Sequence, residues 1–335
     1  MSMKTDPAKQ MVCVIGAGSW GTALAMVLAR HGRPVQLLGR DADTANTMQQ
    51  TRCNAAYLAD IRFPDSLTVH PFSETALRNS AAVVVATPSS AAESILPLTA
   101  ACSGPVIAAF KGLNPDTFER TDSLLLRHVG RERAALLSGP SFAVEVARGL
   151  PTAITMAASD ISLAAQAAAF FDDTSFRIYS SDDMIGVALG GALKNVIAIA
   201  AGIAAGLQIG HNAEAALVTR GLAELMRLAE ACGARRETLM GLSGLGDLVL
   251  TCTGDLSRNR RLGVALAEGL SVGMAKARIG QVAEGIRTAR AVHLLAAEKN
   301  VDAPLMDTVY QVVTGRLDAA AAVDSLMARP ERSEL

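Results

Sequence analysis

Val12-Cys13-Val14-Ile15-Gly16-Ala17-Gly18-Ser19-Trp20-Gly21 decides how the first half of the chain folds. Four apolar residues read as a buried strand. Three glycines follow in the order Gly-x-Gly-x-x-Gly, and a helical pattern over 20–31 opens directly behind them. Gly16 permits a tight turn, Gly18 has no side chain to block a pyrophosphate, and Gly21 lets the helix lie close on the sheet. The helix start then offers unpaired N–H groups and a partial positive charge to phosphates. This context points to dinucleotide binding. A purely structural strand-turn-helix and a methyltransferase-type glycine loop are the alternatives.

Outward from this turn, short β-rich runs alternate with helical patterns. Further strands are predicted at 35–38, 67–70, 82–86, 106–110, 134–137, 152–156 and 176–179. Continuous apolar runs predict strands buried on both faces, and strand-helix alternation predicts a mainly parallel sheet with right-handed crossovers. Beyond Ser181 the strand signal ends. Helical segments follow at 182–207, 212–232, 235–240, 258–268, 272–279, 288–299 and 304–313, with breaks at Gly233, from Gly241 to Gly246, at Gly254 and at Gly280. The fold class is α/β: an N-terminal Rossmann-type doubly wound, mainly parallel sheet, then an all-α C-terminal domain. The expected division is a loose tail over 1–10, a dinucleotide-binding domain over 11–181 and a helical substrate-binding, catalytic domain over 182–335. Ser180-Ser181-Asp182 reads as the helix cap at the boundary.

Bulk composition excludes several classes. The 335 residues are 50% apolar with a net charge of −1 and only 4% aromatic. Neither a nucleic-acid binder nor a membrane-surface binder is expected from such a balance. Five cysteines without a C-x-x-C pair suit neither a disulfide framework nor a zinc ribbon, and read as reduced thiols in the cytoplasm. The polar N-terminus lacks the apolar stretch of a signal peptide. Residues 184–207 are apolar and long enough to span a bilayer. Lys194 and Asn195 sit at their middle, however, where a lysine costs about 2.5–3.5 kcal/mol. Five glycines and the lack of close basic flanks favour a helix buried among other helices.

The second strand ends in Leu37-Leu38-Gly39-Arg40-Asp41. An arginine at this tip suits a 2'-phosphate, so NADP(H) is the preferred dinucleotide, with NAD(H) kept open by the adjacent Asp41. A solvated surface arginine is the alternative. Ligands in open parallel sheets lie beyond the carboxyl ends of the strands. Three polar motifs fall there: Thr87-Pro88-Ser89, Lys111-Gly112 and Ser138-Gly139-Pro140-Ser141. Each could be ordinary punctuation; together they outline a cleft for an anionic ligand.

Gly190-Gly191-Ala192-Leu193-Lys194-Asn195 places a cation inside an apolar helix. Desolvation lowers a lysine's pKa and would make Lys194 a competent acid/base group. Gly190 and Gly191, one turn earlier on the same face, are expected to leave room for a ligand. The alternative is a lysine that snorkels to the surface. Gly241-Leu242-Ser243-Gly244-Leu245-Gly246-Asp247 reads as a glycine loop that delivers one carboxylate. Ser257 caps a helix whose start, with Arg258, forms a phosphate site, or else a solvated basic helix start.

Taken in order, these motifs resemble the NAD-dependent glycerol-3-phosphate dehydrogenase family, specifically its bacterial NAD(P)-dependent members. The resemblance runs from about Met11 to Leu326 and also includes Gln281-Val282-Ala283-Glu284-Gly285. It implies that Ser19, Trp20, Arg40, Ala143, Val282 and Glu284 contact the dinucleotide, and that Lys111 and Arg258 serve both dinucleotide and substrate. It implies that Gly139, Ser141, Asp247, Ser257 and Asn259 bind glycerol 3-phosphate, and that Lys194 is the proton acceptor and a substrate contact. The implied reaction reduces dihydroxyacetone phosphate to sn-glycerol 3-phosphate, the backbone for glycerophospholipid synthesis. No metal is required, and a homodimer is left open. The rival readings are a 6-phosphogluconate or 3-hydroxyacid type dehydrogenase, which shares the layout, and a non-catalytic NAD(P)H sensor, for which no basic helix-turn-helix pattern is visible.

Overall fold

Consecutive side chains on a strand point to opposite faces, and here each face has its own core. Val12 and Val14 belong to one apolar cluster, Cys13 and Ile15 to another. The same division separates Ala82 and Val84 from Val83 and Val85, and Ala135 and Leu137 from Ala134 and Leu136. That double burial is why the strands read as unbroken apolar runs. The computed structural model describes residues 10–114, 117–171, 173–280 and 284–327. The expected loose tail therefore lies, but for Gln10, outside the described residues. The chain divides into two compact units, Met1–Ala188 and Leu189–Leu335.

The first unit holds an eight-stranded sheet in the order β10-β9-β8-β7-β6-β1-β2-β5. Its strands are β1 (Val12–Ile15), β2 (Val35–Gly39), β5 (Leu67–Pro71), β6 (Ala82–Val85), β7 (Val106–Ala108), β8 (Ala134–Ser138), β9 (Thr152–Ala158) and β10 (Phe176–Ser181). All neighbours pair in parallel except β8 with β9. The order reverses at β1: β2 lies on one side and β6 on the other. Ligands of doubly wound sheets bind at such a switch point, and the glycine turn leaves β1 there. A small antiparallel pair, β3 (Cys53–Asn54) with β4 (Leu58–Arg62), was absent from the sequence reading.

The cap before the long apolar helix is Asp183, not Ser180-Ser181-Asp182. Asp183 accepts the Gly186 N–H at 2.8 Å, while Ser181 is the last residue of β10 and accepts the Asp183 N–H at 3.1 Å.

Within the second unit all described elements are helical. The helix Met184–Gly206 passes from one unit into the other and is long and apolar enough to cross a membrane. Yet 94% of its most apolar window is buried inside the structure, as for a core helix. Small residues set its packing. A Cβ on Gly202 would stand 2.0 Å from the Arg260 carbonyl oxygen, so the helix Arg258–Ala267 crosses at backbone contact. The expected break from Gly241 to Gly246 is instead a wide helical turn. The Gly246 N–H reaches the Gly241 carbonyl at 3.1 Å, five residues back, and the turn runs directly into a helix, Asp247–Thr253. A second helix, Ala319–Met327, also escaped the sequence reading.

One buried acid ties two helices of this unit together. Glu224, 2% exposed on the helix His211–Ala231, accepts the Leu305 and Met306 N–H groups at 2.9 and 3.0 Å, at the start of the helix Pro304–Val313. Burial pushes its carboxyl up to about 7, against the opposing pull of those two bonds. The folded chain thus keeps a proton that the unfolded chain releases near 4.5. Stability contributed by this group is present below that value and is lost as pH rises toward 7. At about 1.4 kcal/mol per pH unit, the loss reaches about 3 kcal/mol. In Glu224→Gln the group cannot ionise, so the stability gap between wild type and variant should move in the variant's favour by up to about that amount from pH 5 to 8. Urea unfolding across this range measures it, and a constant gap would remove Glu224 from the pH dependence.

Candidate active site

In the first unit the glycine turn has the three distinct geometries that a pyrophosphate cradle requires. Gly16 adopts φ +112°, and a Cβ there would stand 2.8 Å from the Ala86 carbonyl oxygen. A Cβ on Gly21 would stand 1.9 Å from the Gly16 carbonyl oxygen, so the helix Ser19–Ala29 rests directly on the turn. Around Gly18 nothing lies within 4 Å of a Cβ position, which leaves the approach open to a ligand. No side chain caps this helix and no acid lies in its first turn, so its N-terminal field is available to phosphates. Ser19 and Trp20 occupy that first turn, and the Trp20 indole N–H donates to the Ala109 carbonyl at 2.9 Å.

Asn54, only 2% exposed, braces the cradle from the β3–β4 pair: its side-chain amide donates to the Ala17 carbonyl at 3.0 Å and to the Thr22 hydroxyl at 2.9 Å. Sequence reasoning missed it, because a lone asparagine in a two-residue strand has no pattern to mark it. Arg40 is exposed at the tip of β2. Its neighbour Asp41 accepts the Thr44 N–H at 2.8 Å and caps the helix Ala42–Thr51. That bond to Thr44 holds the Asp41 carboxyl below its usual value.

At the carboxyl edge of β7 and β8, three predicted residues meet on one carbonyl. The Lys111 ammonium and the Ser141 hydroxyl both donate to the Gly139 oxygen, at 2.9 and 3.0 Å. Gly139 has φ +149°, and a Cβ there would press on Ile154 at 2.9 Å. Ala143 opens the short helix Ala143–Ala147 just beyond.

The second unit brings Lys194 and Asp247 into a direct ion pair; the two residues are 7% and 1% exposed. Lys194 therefore does not snorkel to the surface. The carboxylate compensates for the burial of the ammonium charge. Close packing makes the pairing possible. A Cβ on Gly190 would stand 2.4 Å from the Ser243 carbonyl oxygen, so the turn leading to Asp247 lies against the lysine helix. This corrects the expectation that Gly190 leaves room for a ligand: backbone fills that space. Cys252, on the Asp247 helix, is pushed up to about 12 by burial, with Lys194 opposing the shift, so it is a neutral thiol beside the pair.

Ser257 caps the helix Arg258–Ala267 by accepting the Arg260 N–H at 3.2 Å, and Arg258 is exposed at its first position. Asn259 is 8% exposed. Its amide donates to the Asn195 side-chain oxygen at 2.9 Å and accepts the Gly285 N–H at 3.0 Å. Asn195, next to Lys194, is thus the anchor that ties the lysine helix to the Arg258 helix. Its one sequence signal was a second polar residue at the centre of the apolar run. Glu284 directly precedes the helix Gly285–Glu298. Val282 lies outside the described residues. Among the described residues no cluster of His, Cys, Asp and Glu could hold a metal.

Comparison with known proteins decides the family. The model of the NAD-dependent glycerol-3-phosphate dehydrogenase N-terminus matches residues 11–164, and that of its C-terminus matches residues 183–324. The chain belongs to this family. Glycerol-3-phosphate dehydrogenase (NAD(P)+) of Thioalkalivibrio sulfidiphilus is 50% identical over 327 residues, covering 96% of this chain and 98% of that protein. The crystal structure of glycerol-3-phosphate dehydrogenase from Coxiella burnetii, 39% identical, superposes with a TM-score of 0.91 over 96% of this chain and 100% of that one. The Saccharomyces cerevisiae glycerol-3-phosphate dehydrogenase is 26% identical, with a TM-score of 0.80 over 94% of this chain and 99% of that one. As a glycerol-3-phosphate dehydrogenase family member, the chain has the mainly parallel sheet followed by helices that its motifs led us to expect.

Proposed function

We propose that this protein catalyses the reversible NAD(P)H-dependent reduction of dihydroxyacetone phosphate to sn-glycerol 3-phosphate. The observation that carries the reading is the buried Lys194–Asp247 pair in a chain whose other unit has an open glycine cradle. The residues present fit a dinucleotide: Gly16, Gly18, Ser19, Trp20 and Gly21 would hold the pyrophosphate, and Arg40 the adenosine ribose end. Lys111, Ala143, Arg258, Val282 and Glu284 are the further cofactor contacts we propose. Bound NAD(P)H supplies the hydride for the C2 carbonyl carbon. Lys194, as an ammonium, donates the proton that the developing C2 alkoxide needs; in the reverse direction the neutral amine accepts it. Asp247 holds the Lys194 nitrogen at a fixed position, so that little reorientation accompanies proton transfer.

The substrate phosphate falls to the start of the helix Arg258–Ala267. Its first N–H groups have no acceptors within the helix, and Arg258 adds a guanidinium suited to phosphate. The Ser257 hydroxyl accepts the Arg260 N–H and the Asn259 amide gives one N–H to Asn195, so the hydroxyl hydrogen and the second amide N–H are donors for the phosphate beside Arg258. Lys111, Gly139 and Ser141 contribute polar groups for the remaining substrate oxygens. The proposed setting is the cytoplasm, with the product feeding glycerophospholipid synthesis and a homodimer as the candidate assembly.

Following NADPH absorbance with dihydroxyacetone phosphate, and separately with 3-hydroxy acids and 6-phosphogluconate on NADP+, tests the reading. Turnover confined to the latter substrates would replace it with the rival dehydrogenase types. Dinucleotide choice is tested at Arg40. NADP(H) is preferred and NAD(H) is the second cofactor, because Asp41 caps a helix and Arg40 stands exposed beside it. Arg40→Asp should shift the NADPH/NADH preference about 10–100-fold toward NADH, the worth of a charge-assisted phosphate contact. An unchanged ratio of kcat/KM values would remove Arg40 from cofactor choice.

A further inference from the structure

Among the described residues two buried side-chain oxygens have no hydrogen-bond partner: Thr87 Oγ1 and Ser138 Oγ. Buried polar groups are nearly always paired, so each exception requires an explanation. Their positions supply one. Thr87 lies just beyond the carboxyl end of β6, and Ser138 is the last residue of β8. Between these strands runs β7, whose carboxyl end leads to Lys111. Leu136 belongs to the second core cluster, and strand alternation puts Ser138, two residues further along β8, on that same side. Two strand spacings, roughly 9–10 Å, separate β6 from β8.

Topology identifies what part of a dinucleotide would reach them. The glycine cradle follows β1, and Arg40 follows β2 on one side of it. An adenosine 2'-phosphate end at Arg40 and a pyrophosphate at the cradle leave the nicotinamide nucleoside over β6, β7 and β8. We infer that the Thr87 and Ser138 hydroxyls are hydrogen-bond partners of the nicotinamide nucleoside, through its ribose hydroxyls and carboxamide. The inference rests on the dinucleotide reading proposed above. Thr87 as a residue is partly exposed although its Oγ1 is not. A step between staggered χ1 wells exchanges Oγ1 with Cγ2 and brings the hydroxyl to the ligand side. Ser138, 4% exposed, has the same freedom at χ1 without a methyl to relocate.

Hydroxyls that pair only with a ligand have an unusual signature on removal. In the free chain their loss leaves no group unsatisfied, so Thr87→Val and Ser138→Ala should melt no lower than wild type. With ligand, each variant should bind NADPH about fivefold or more weakly, the worth of one hydrogen bond. Adenosine 2',5'-bisphosphate, which lacks the nicotinamide nucleoside, should bind as it does to wild type. Thr87→Ser should restore NADPH affinity.

Calorimetric titration of the full chain with both ligands, with melting curves of each free variant, decides the matter. Unchanged NADPH affinity in both variants overturns the inference while the dinucleotide reading stands. Equal weakening toward both ligands, or a lowered melting temperature of the free variants, assigns the hydroxyls a structural role and overturns it as well. Failure of wild type to bind NADPH overturns the dinucleotide reading and this inference together.

Discussion

Replacing Lys194 with alanine should lower kcat by about 10²–10⁴, the range of a lost general acid–base group, while NADPH binds as before. The proposed dinucleotide elements, Gly16 to Gly21, belong to the unit that does not contain this side chain. The simple variant has a complication that the geometry exposes. Asp247 is 1% exposed, and its ion-pair partner is Lys194. Removing the cation leaves a buried carboxylate with that partner gone, at about 3–5 kcal/mol. Lower activity in Lys194→Ala could therefore come from a smaller folded fraction. Lys194→Met combined with Asp247→Asn removes both charges with nearly the same volume. Its melting temperature should recover toward wild type, and its kcat should remain as low as that of Lys194→Ala. Turnover near wild type in the double variant would dismiss Lys194 as the proton donor.

What the sequence made legible follows from how far each signal reaches along the chain. The sheet was readable because each of its central strands sits between two cores, so Val12, Cys13, Val14 and Ile15 are all apolar. The β3–β4 pair was not. Leu58 is buried, but Ala59, Asp60 and Arg62 are exposed, so no periodicity marks the strand, and its partner is two residues long. The turn from Gly241 to Gly246 reads as a break because glycine is a poor helix former. Its glycines instead permit contact: a Cβ on Gly244 would stand 2.0 Å from the Leu239 carbonyl oxygen. Packing overrides propensity there.

The site divides in the same way. Lys194 was visible as a cation in an apolar run, and Ser257 as a helix cap, since both signals are local. The partner of Lys194 lies 53 residues away, a distance that no spacing rule bridges; only the family resemblance placed Asp247 near it. Asn195 and Asn259 are joined across 64 residues. Their link became readable only when backbone contact at Gly202 put the two helices side by side.

A contrast between two glycines of the same motif separates folding from binding. Gly18 and Gly21 both precede or begin the helix Ser19–Ala29, but a methyl group meets different surroundings at each. At Gly18 the φ is −79°, open to any residue, and nothing lies within 4 Å of the added carbon. Gly18→Ala should therefore fold with an unchanged melting temperature. It should nonetheless bind NADPH about tenfold or more weakly, since the methyl displaces the pyrophosphate from charge-assisted hydrogen bonds worth about 1.5–3 kcal/mol. At Gly21 the added carbon would lie 1.9 Å from the Gly16 carbonyl oxygen, inside backbone that cannot yield as a side chain would. Gly21→Ala must push the helix off the turn, and both melting temperature and NADPH affinity should fall. The two variants thus differ in stability and share a loss of binding. Thermal unfolding and NADPH titration of each measure the contrast. Wild-type NADPH affinity in a well-folded Gly18→Ala would mean that the pyrophosphate does not cross this glycine, and the cradle would lose its ligand.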